Sequence, residues 1–262
     1  MPEGCEYALN TLYADYADYW TELNDSQIKA DVQAAKDAGA EVIVALVHWG
    51  SEYGRSVSDP QKEVKELLLG NGVDVIIGTH SHIVNEMGYE KVTLADGTVK
   101  NCFVAYGLGD FYTDPAQDSA KESLILNLEF TKNDDGVVSI TSAKYVPIYM
   151  DITEDDGEKH FEILDVYASI ADIYRKETIS SLEAEKYNAL LACLDTLHTY
   201  AGEDLDAGPK DEDIRVVAKA LEDGEISWEE IKVIKNEEQA AQDAANATPT
   251  PSMVLPTQNT EE

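Results

Sequence analysis

Two apolar runs, each halted by histidine, constrain this chain more than any other feature. VIVALV (Val42–Val47) leads into HWGSEY at His48, and VDVII (Val73–Ile77) leads into GTHSH, which carries His80 and His82. Unbroken runs rich in β-branched residues are the mark of strands buried on both faces of a parallel sheet. Between them, after a polar loop from His48 to Ser58, Asp59 and Pro60 supply a cap and a first-turn proline for a helix through Leu69, which Gly70 and Gly72 end. Residues 42–78 therefore read as a βαβ unit with a right-handed crossover. Both histidine signals fall at the carboxyl edge of its strands, where open α/β folds bind ligands. Three of the chain's five histidines are spent there.

Around this unit the pattern predicts a helix over 25–39, capped by Asp25 or Ser26 and stopped by Gly39. Val92–Leu94 and Val99–Tyr106 flank the hairpin turn ADGT, and Ser123–Phe130 and Val137–Tyr149 flank NDDG, so the sheet should turn from parallel to antiparallel. From about residue 160 the texture reads as helical. Phe161, Leu164, Tyr167 and Ile170 form one stripe, Leu182, Leu190, Leu194 and Leu197 another, and Ser227–Glu230 spells a capping box before a third, polar helix. The expected organisation is an α/β domain over 1–155, an acidic helical extension over 156–245, and a disordered tail over 246–262, where apolar content is too low to pack.

Composition limits the partners. With 52 acidic and 19 basic residues the formal charge is −33, which argues against nucleic acid or an anionic membrane surface, both of which need a basic patch. Cys5, Cys102 and Cys193 are far apart, without CxxC spacing, and read as lone thiols. The first twenty residues lack a basic region followed by an apolar one, and no eighteen-residue apolar stretch occurs, so neither an export signal nor a membrane span is expected in this chain. G-x-G-x-x-G, P-loop and G-x-S-x-G motifs are absent from the sequence.

A lone histidine at a strand end is usually structural, and the companion motif is what changes the reading of His48. In an extended segment residues two apart face one side, so His80 and His82 would share a cavity while Ser81 faces away. Gly78 would let the backbone leave the sheet, and Thr79 would orient an imidazole. Imidazole suits zinc, iron, manganese and nickel alike. A hydrolytic two-metal centre also needs carboxylates, and Glu52 and Asp110 are the nearest by position. The plainer readings are a solvated loop carboxylate for Glu52 and a cap or turn residue for Asp110. His160 and His198 read as ordinary surface or core histidines. Trp20, Trp228 and the cluster Tyr7, Tyr13, Tyr16 and Tyr19 read as packing residues.

At HWGSEY, GTHSH and AYGLGDF the chain resembles the bacterial capsule-synthesis, or CapA-like, family associated with poly-gamma-glutamate, a branch of the calcineurin-like metallophosphatases. Its H-W-G-x-E-Y, G-x-H-x-H and Y-S-L-G-N-F segments recur here in order across about residues 25–150. Gly107 stands where that pattern has serine, and Asp110 where it has asparagine. The resemblance implies a four-layer αββα sandwich, metal ligation by His48, His80 and His82, and divalent ions of the manganese, iron or zinc class. It further implies a phosphorylated small molecule or an anionic cell-envelope polymer as ligand, and a location at the cell surface or outside the cell. The family's upstream G-D, N-L-E and N-N-H-x-x-D segments have no counterpart before His48. The chain thus resembles the C-terminal half of such a protein. A dinuclear centre is expected only with the other half supplied, and with it either self-association or binding of that half. The competing expectation is a non-catalytic binding or assembly component of a capsule or polymer-export complex.

Overall fold

The structure, a computed structural model, describes residues 11–14, 22–176 and 179–209. Cys5, Trp20, Trp228, the tyrosines at 7, 16 and 19, the expected helix after Ser227 and the expected disordered tail lie outside the described residues.

The βαβ unit forms as the sequence dictates. Strand β1 (Val44–His48) pairs in parallel with β2 (Val75–Thr79), and helix α2 (Asp59–Gly70) crosses between them. Both strands begin two residues later than the apolar runs do. The Asp74 carboxylate accepts from the Ile43 N–H at 2.9 Å and pairs with Lys100 at 2.8 Å, which fixes the entry to both strands. The N-cap of α2 is Ser58, in a reciprocal capping box with Gln61, and Pro60 sits in the first turn. Helix α1 (Asp25–Asp37) precedes the unit, and Gly39 follows it at φ +86°.

The predicted hairpin around ADGT is present as β3 (Met87–Thr93) and β4 (Val99–Ala105), with β3 starting earlier than its apolar residues suggest. Strand β4 adds in parallel to β2, giving the order β1-β2-β4-β3. The later strands form a second, separate antiparallel sheet, β5-β6-β7. Strand β5 spans Glu122–Lys132, β6 Val138–Asp155 and β7 Glu158–Asp165.

Strand β7 corrects the helical expectation from residue 156 onward. Phe161 and Leu164 sit in a strand, not on a helical stripe, with Phe161 opposite Ile152 and Leu164 opposite Tyr149. A long β6 with a free edge offers backbone partners that a short helix there would forgo, and the tight turn at Asp156 and Gly157, both at positive φ, returns the chain onto that edge. The expected boundary at 155 falls in this turn, inside one hairpin. Helical structure starts only with α3 (Val166–Tyr174), capped by the Asp165 carboxylate, and continues in α4 (Ser181–Leu197), where Ser180 and Glu183 form a second capping box.

Two apolar clusters hold these layers. One face of the four-stranded sheet packs Val47, Ile76 and Val104 against Ile28 and Val32 of α1 and Val64, Leu68 and Leu69 of α2. On the opposite face, Val75, Phe103 and Ala105 join Leu124, Ala143 and Tyr145 of the second sheet and Val166, Ile170, Leu190 and Leu197 of α3 and α4. The helical segment thus shares one core with both sheets.

Candidate functional site

His48 ends β1, and its register partner Thr79 ends β2, so the strand alignment itself delivers both histidine motifs to one sheet edge. The rings of His48 and His80 lie 4.4 Å apart between centroids. Thr79 Oγ1 stands 3.3 Å from His48 Nδ1, the orienting contact expected of it. Partial burial, followed by the neighbouring His80 and His82, lowers the pKa of His48 and favours the neutral imidazole that a ligand must be.

The turn after β2 is not extended, which corrects the alternation argument. His80 and His82 adopt φ of +96° and +61°, and Tyr53 in the facing loop +56°. Left-handed backbone at non-glycine residues costs of order 1–3 kcal/mol apiece and persists where surroundings over-determine it. Those surroundings are visible. Ser81 points inward and is buried, its hydroxyl donating to the Ile83 carbonyl at 2.8 Å. The Tyr53 N–H donates to the Ser81 carbonyl at 2.8 Å, and the Tyr53 ring stacks on His82 at 5.5 Å.

Gly78 also serves otherwise than expected, since it lies within β2. A Cβ there would sit 2.1 Å from the Tyr106 carbonyl oxygen and 2.3 Å from the Trp49 indole nitrogen. That space is crossed by the Trp49 Nε1–H bond to the Tyr106 carbonyl, 3.0 Å, which pins the start of the HWGSEY loop to the end of β4.

Asp110 reaches the same edge through the loop after β4. Its carboxylate oxygens lie 3.0 and 3.1 Å from His82 Nδ1. An ionised carboxylate only accepts, so Nδ1 is the donor in this contact and Nε2 is the ring nitrogen a metal ion would use. Glu52 is exposed in the loop, matching its plainer reading as a solvated carboxylate. Asn85, which the sequence reading passed over, is buried and donates to the Gly54 and Arg55 carbonyls at 2.8 and 3.3 Å. A buried polar residue three positions past His82 was the signal available.

For a divalent ion the donor chemistry fits: imidazoles, with His48 and His82 oriented through Nδ1. As they stand, the donors form an incomplete set. Among the described residues no group of three or more His, Cys, Asp or Glu side chains is arranged to hold a metal ion.

The fold and edge define an α/β protein with a histidine-bearing site at the carboxyl ends of adjacent parallel strands. Residues 3–115 match the family model described as Bacterial capsule synthesis protein PGA_cap. The PGA biosynthesis protein CapA of Bacillus subtilis (strain 168) is 28% identical over 102 residues, 39% of this chain and 24% of that protein. The Capsule biosynthesis protein CapA of Bacillus anthracis is 23% identical over 121 residues, 45% of this chain and 27% of that protein. Through this segment the chain is similar to the CapA-like capsule-synthesis family. It spans about a quarter of the length of the curated relatives it matches. No helix among the described residues is long and apolar enough to cross a membrane.

Proposed function

We propose that this chain carries the histidine half of a CapA-type metallophosphoesterase-like site, acting in synthesis of a cell-envelope polymer of the poly-gamma-glutamate type. The observation that supports it is the meeting of His48 and His80 at 4.4 Å, beside a His82 oriented by Asp110. His48, His80 and His82 would hold a divalent ion of the manganese, iron or zinc class through Nε2, and such an ion supplies Lewis acidity and an activated water. Asp110 orients a ligand here, rather than bridging two ions. The two sheets packed face to face, with α1 and α2 on the outside, agree with the second half of an αββα sandwich. On this reading the other half supplies the bridging carboxylate and the second ion, and the complete protein works at the cell surface on a phosphorylated or polyanionic ligand.

The incomplete donor set favours a second reading, in which the chain binds a polymer or assembles a capsule-export complex without catalysis, any metal being structural. Calorimetric titration with Zn²⁺ and Mn²⁺, run beside a generic phosphoester assay, separates the two. The first reading expects weak binding of one ion, lost in His80→Ala and weakened about 10- to 100-fold in Asp110→Ala, with negligible turnover by the chain alone. An absence of binding that survives addition of the missing half would overturn it. Strong metal-dependent turnover by the chain alone would show that Glu52 or Asp110 supplies the carboxylate directly.

A further inference from the structure

Arg55 has no part in the histidine motifs, yet it touches the turn after His82, the start of β5 and the helical segment. It lies in the loop that follows His48, within a chain rich in acid and poor in base. Its Nη1 donates to the Val84 carbonyl at 2.8 Å, two residues beyond His82. Its Nη2 pairs with Glu122 at 3.3 Å, at the start of β5. Its guanidinium carbon stands 4.6 Å from the centroid of the Tyr200 ring, in the π-helical turn His198–Gly202 that continues α4. Glu122 is held from the helical side as well, accepting from the Thr196 hydroxyl of α4 at 3.1 Å. Burial pushes the Glu122 carboxyl up from its ordinary value, against the pull of Thr196 and Arg55.

Other links between the two histidine loops are local, among them Trp49 N–H to the Thr79 carbonyl, Tyr53 N–H to the Ser81 carbonyl and Asn85 to the Gly54 and Arg55 carbonyls. Beside the route that runs from Val84 and Asn85 through Gly107 and Leu108 to Ser123 and Leu124 of β5, the guanidinium ties that joint directly to both β5 and α4. Its planar fork fixes donor directions in a way a lysine ammonium does not. The positive-φ residues Tyr53, His80 and His82 need such fixing, because nothing intrinsic to their backbone retains those conformations.

We propose that Arg55 is a positioning residue that couples the spacing of the two histidine loops to the docking of α4 and its π-helical turn, making the C-terminal helices a wall of the site. A partner or ligand that shifts α4 would then alter the histidine edge through Glu122 and Tyr200. The metal readout below rests on the proposed ligand role of the histidines; the spectroscopic one does not.

The test is the imidazole Cε1–Hε1 NMR signals of the full chain at one fixed pH, assigned with single His→Gln variants, for Arg55→Lys, Arg55→Met, Tyr200→Leu and Thr196→Val. The expected result is that Tyr200→Leu and both Arg55 variants move the His48, His80 and His82 signals by more than a linewidth. His160, in β7, should stay in place, and Arg55→Lys should restore the wild-type positions only in part. Apparent Zn²⁺ affinity should fall about tenfold or more in Arg55→Met. If the wild type binds no Zn²⁺, the ligand reading fails while the NMR comparison still decides this proposal. Unchanged histidine signals in Tyr200→Leu and Arg55→Met, alongside only a lowered melting temperature, would overturn it. Should the Arg55 variants fail to fold, Tyr200→Leu and Thr196→Val decide by the same signals.

Discussion

Two missing side chains shape the histidine edge as much as the imidazoles do. At Gly107 a Cβ would lie 2.5 Å from the Asn85 side-chain oxygen and 2.6 Å from the Ser81 hydroxyl, so the serine of the family pattern has no room beside these neighbours. At Gly78 the obstacle is backbone and indole, neither of which rotates away. Gly78→Ala should therefore cost about 2 kcal/mol or more, through overpacking and loss of the Trp49–Tyr106 hydrogen bond. Urea unfolding measures it. A loss under about 0.5 kcal/mol, within the range of an ordinary surface substitution, would mean that β2 and β4 relax apart there.

Beyond α4 the chain is held by a compact polar cluster. The Asp206 carboxylate accepts from the Tyr167 hydroxyl at 2.6 Å and lies 2.9 Å from His198 Nε2, and the Gly208 N–H closes onto its other oxygen at 2.8 Å. The hydrogen bond to Asp206 is the largest influence on His198 and raises its pKa, opposed by burial and helped by the charges of Asp206, Glu203 and Asp195. A raised folded-state value means that the pair's stabilisation is whole below the ordinary imidazole value of 6.5 and disappears as pH rises through the folded value. The difference in melting temperature between the wild type and His198→Gln should be largest at acidic pH and shrink on the alkaline side. A difference that grows with pH would reverse the assignment. The same pair anchors the π-helical turn that carries Tyr200, so this element bears on the Arg55 joint.

At the scale of the described residues, β1 is an open side. Among the described residues β1 and β5 each border one end of their sheet, and the Glu41–Lys132 ion pair sets the start of one beside the end of the other. Val44 and Leu46, on the face that elsewhere meets the second sheet, are 47% and 79% exposed. Val104 is buried and Leu126 packs against the shared core, whereas Val44 and Leu46 of β1 stay uncovered. A flat strand edge with apolar side chains invites pairing, while a formal charge of −33 opposes it. Self-association through this edge should thus strengthen with salt, which screens repulsion and favours apolar burial, and Leu46→Glu should abolish it. Size-exclusion chromatography with light scattering is the measurement. A monomer at every salt concentration would show the edge to be inert.

The βαβ unit, its helix caps, both hairpin turns and the convergence of His48 with His80 and His82 were legible from sequence, because strand burial, capping and turn chemistry act over a few residues. What the sequence could not decide depended on partners distant along the chain. Phe161 and Leu164 spell a helical spacing while Phe161 and Ile163 spell a strand alternation, and only the free edge of β6 selected the strand. Ser81 faces inward because Tyr53 and Ile83 bind it there, against the alternation rule for an extended segment. Asp110 became the partner of His82, and Arg55 the joint between histidine loops and helices, through contacts spanning from tens of residues to well over a hundred. Local physics set which elements form; the packing of two sheets and a helical pair into one core decided how the histidine edge is held.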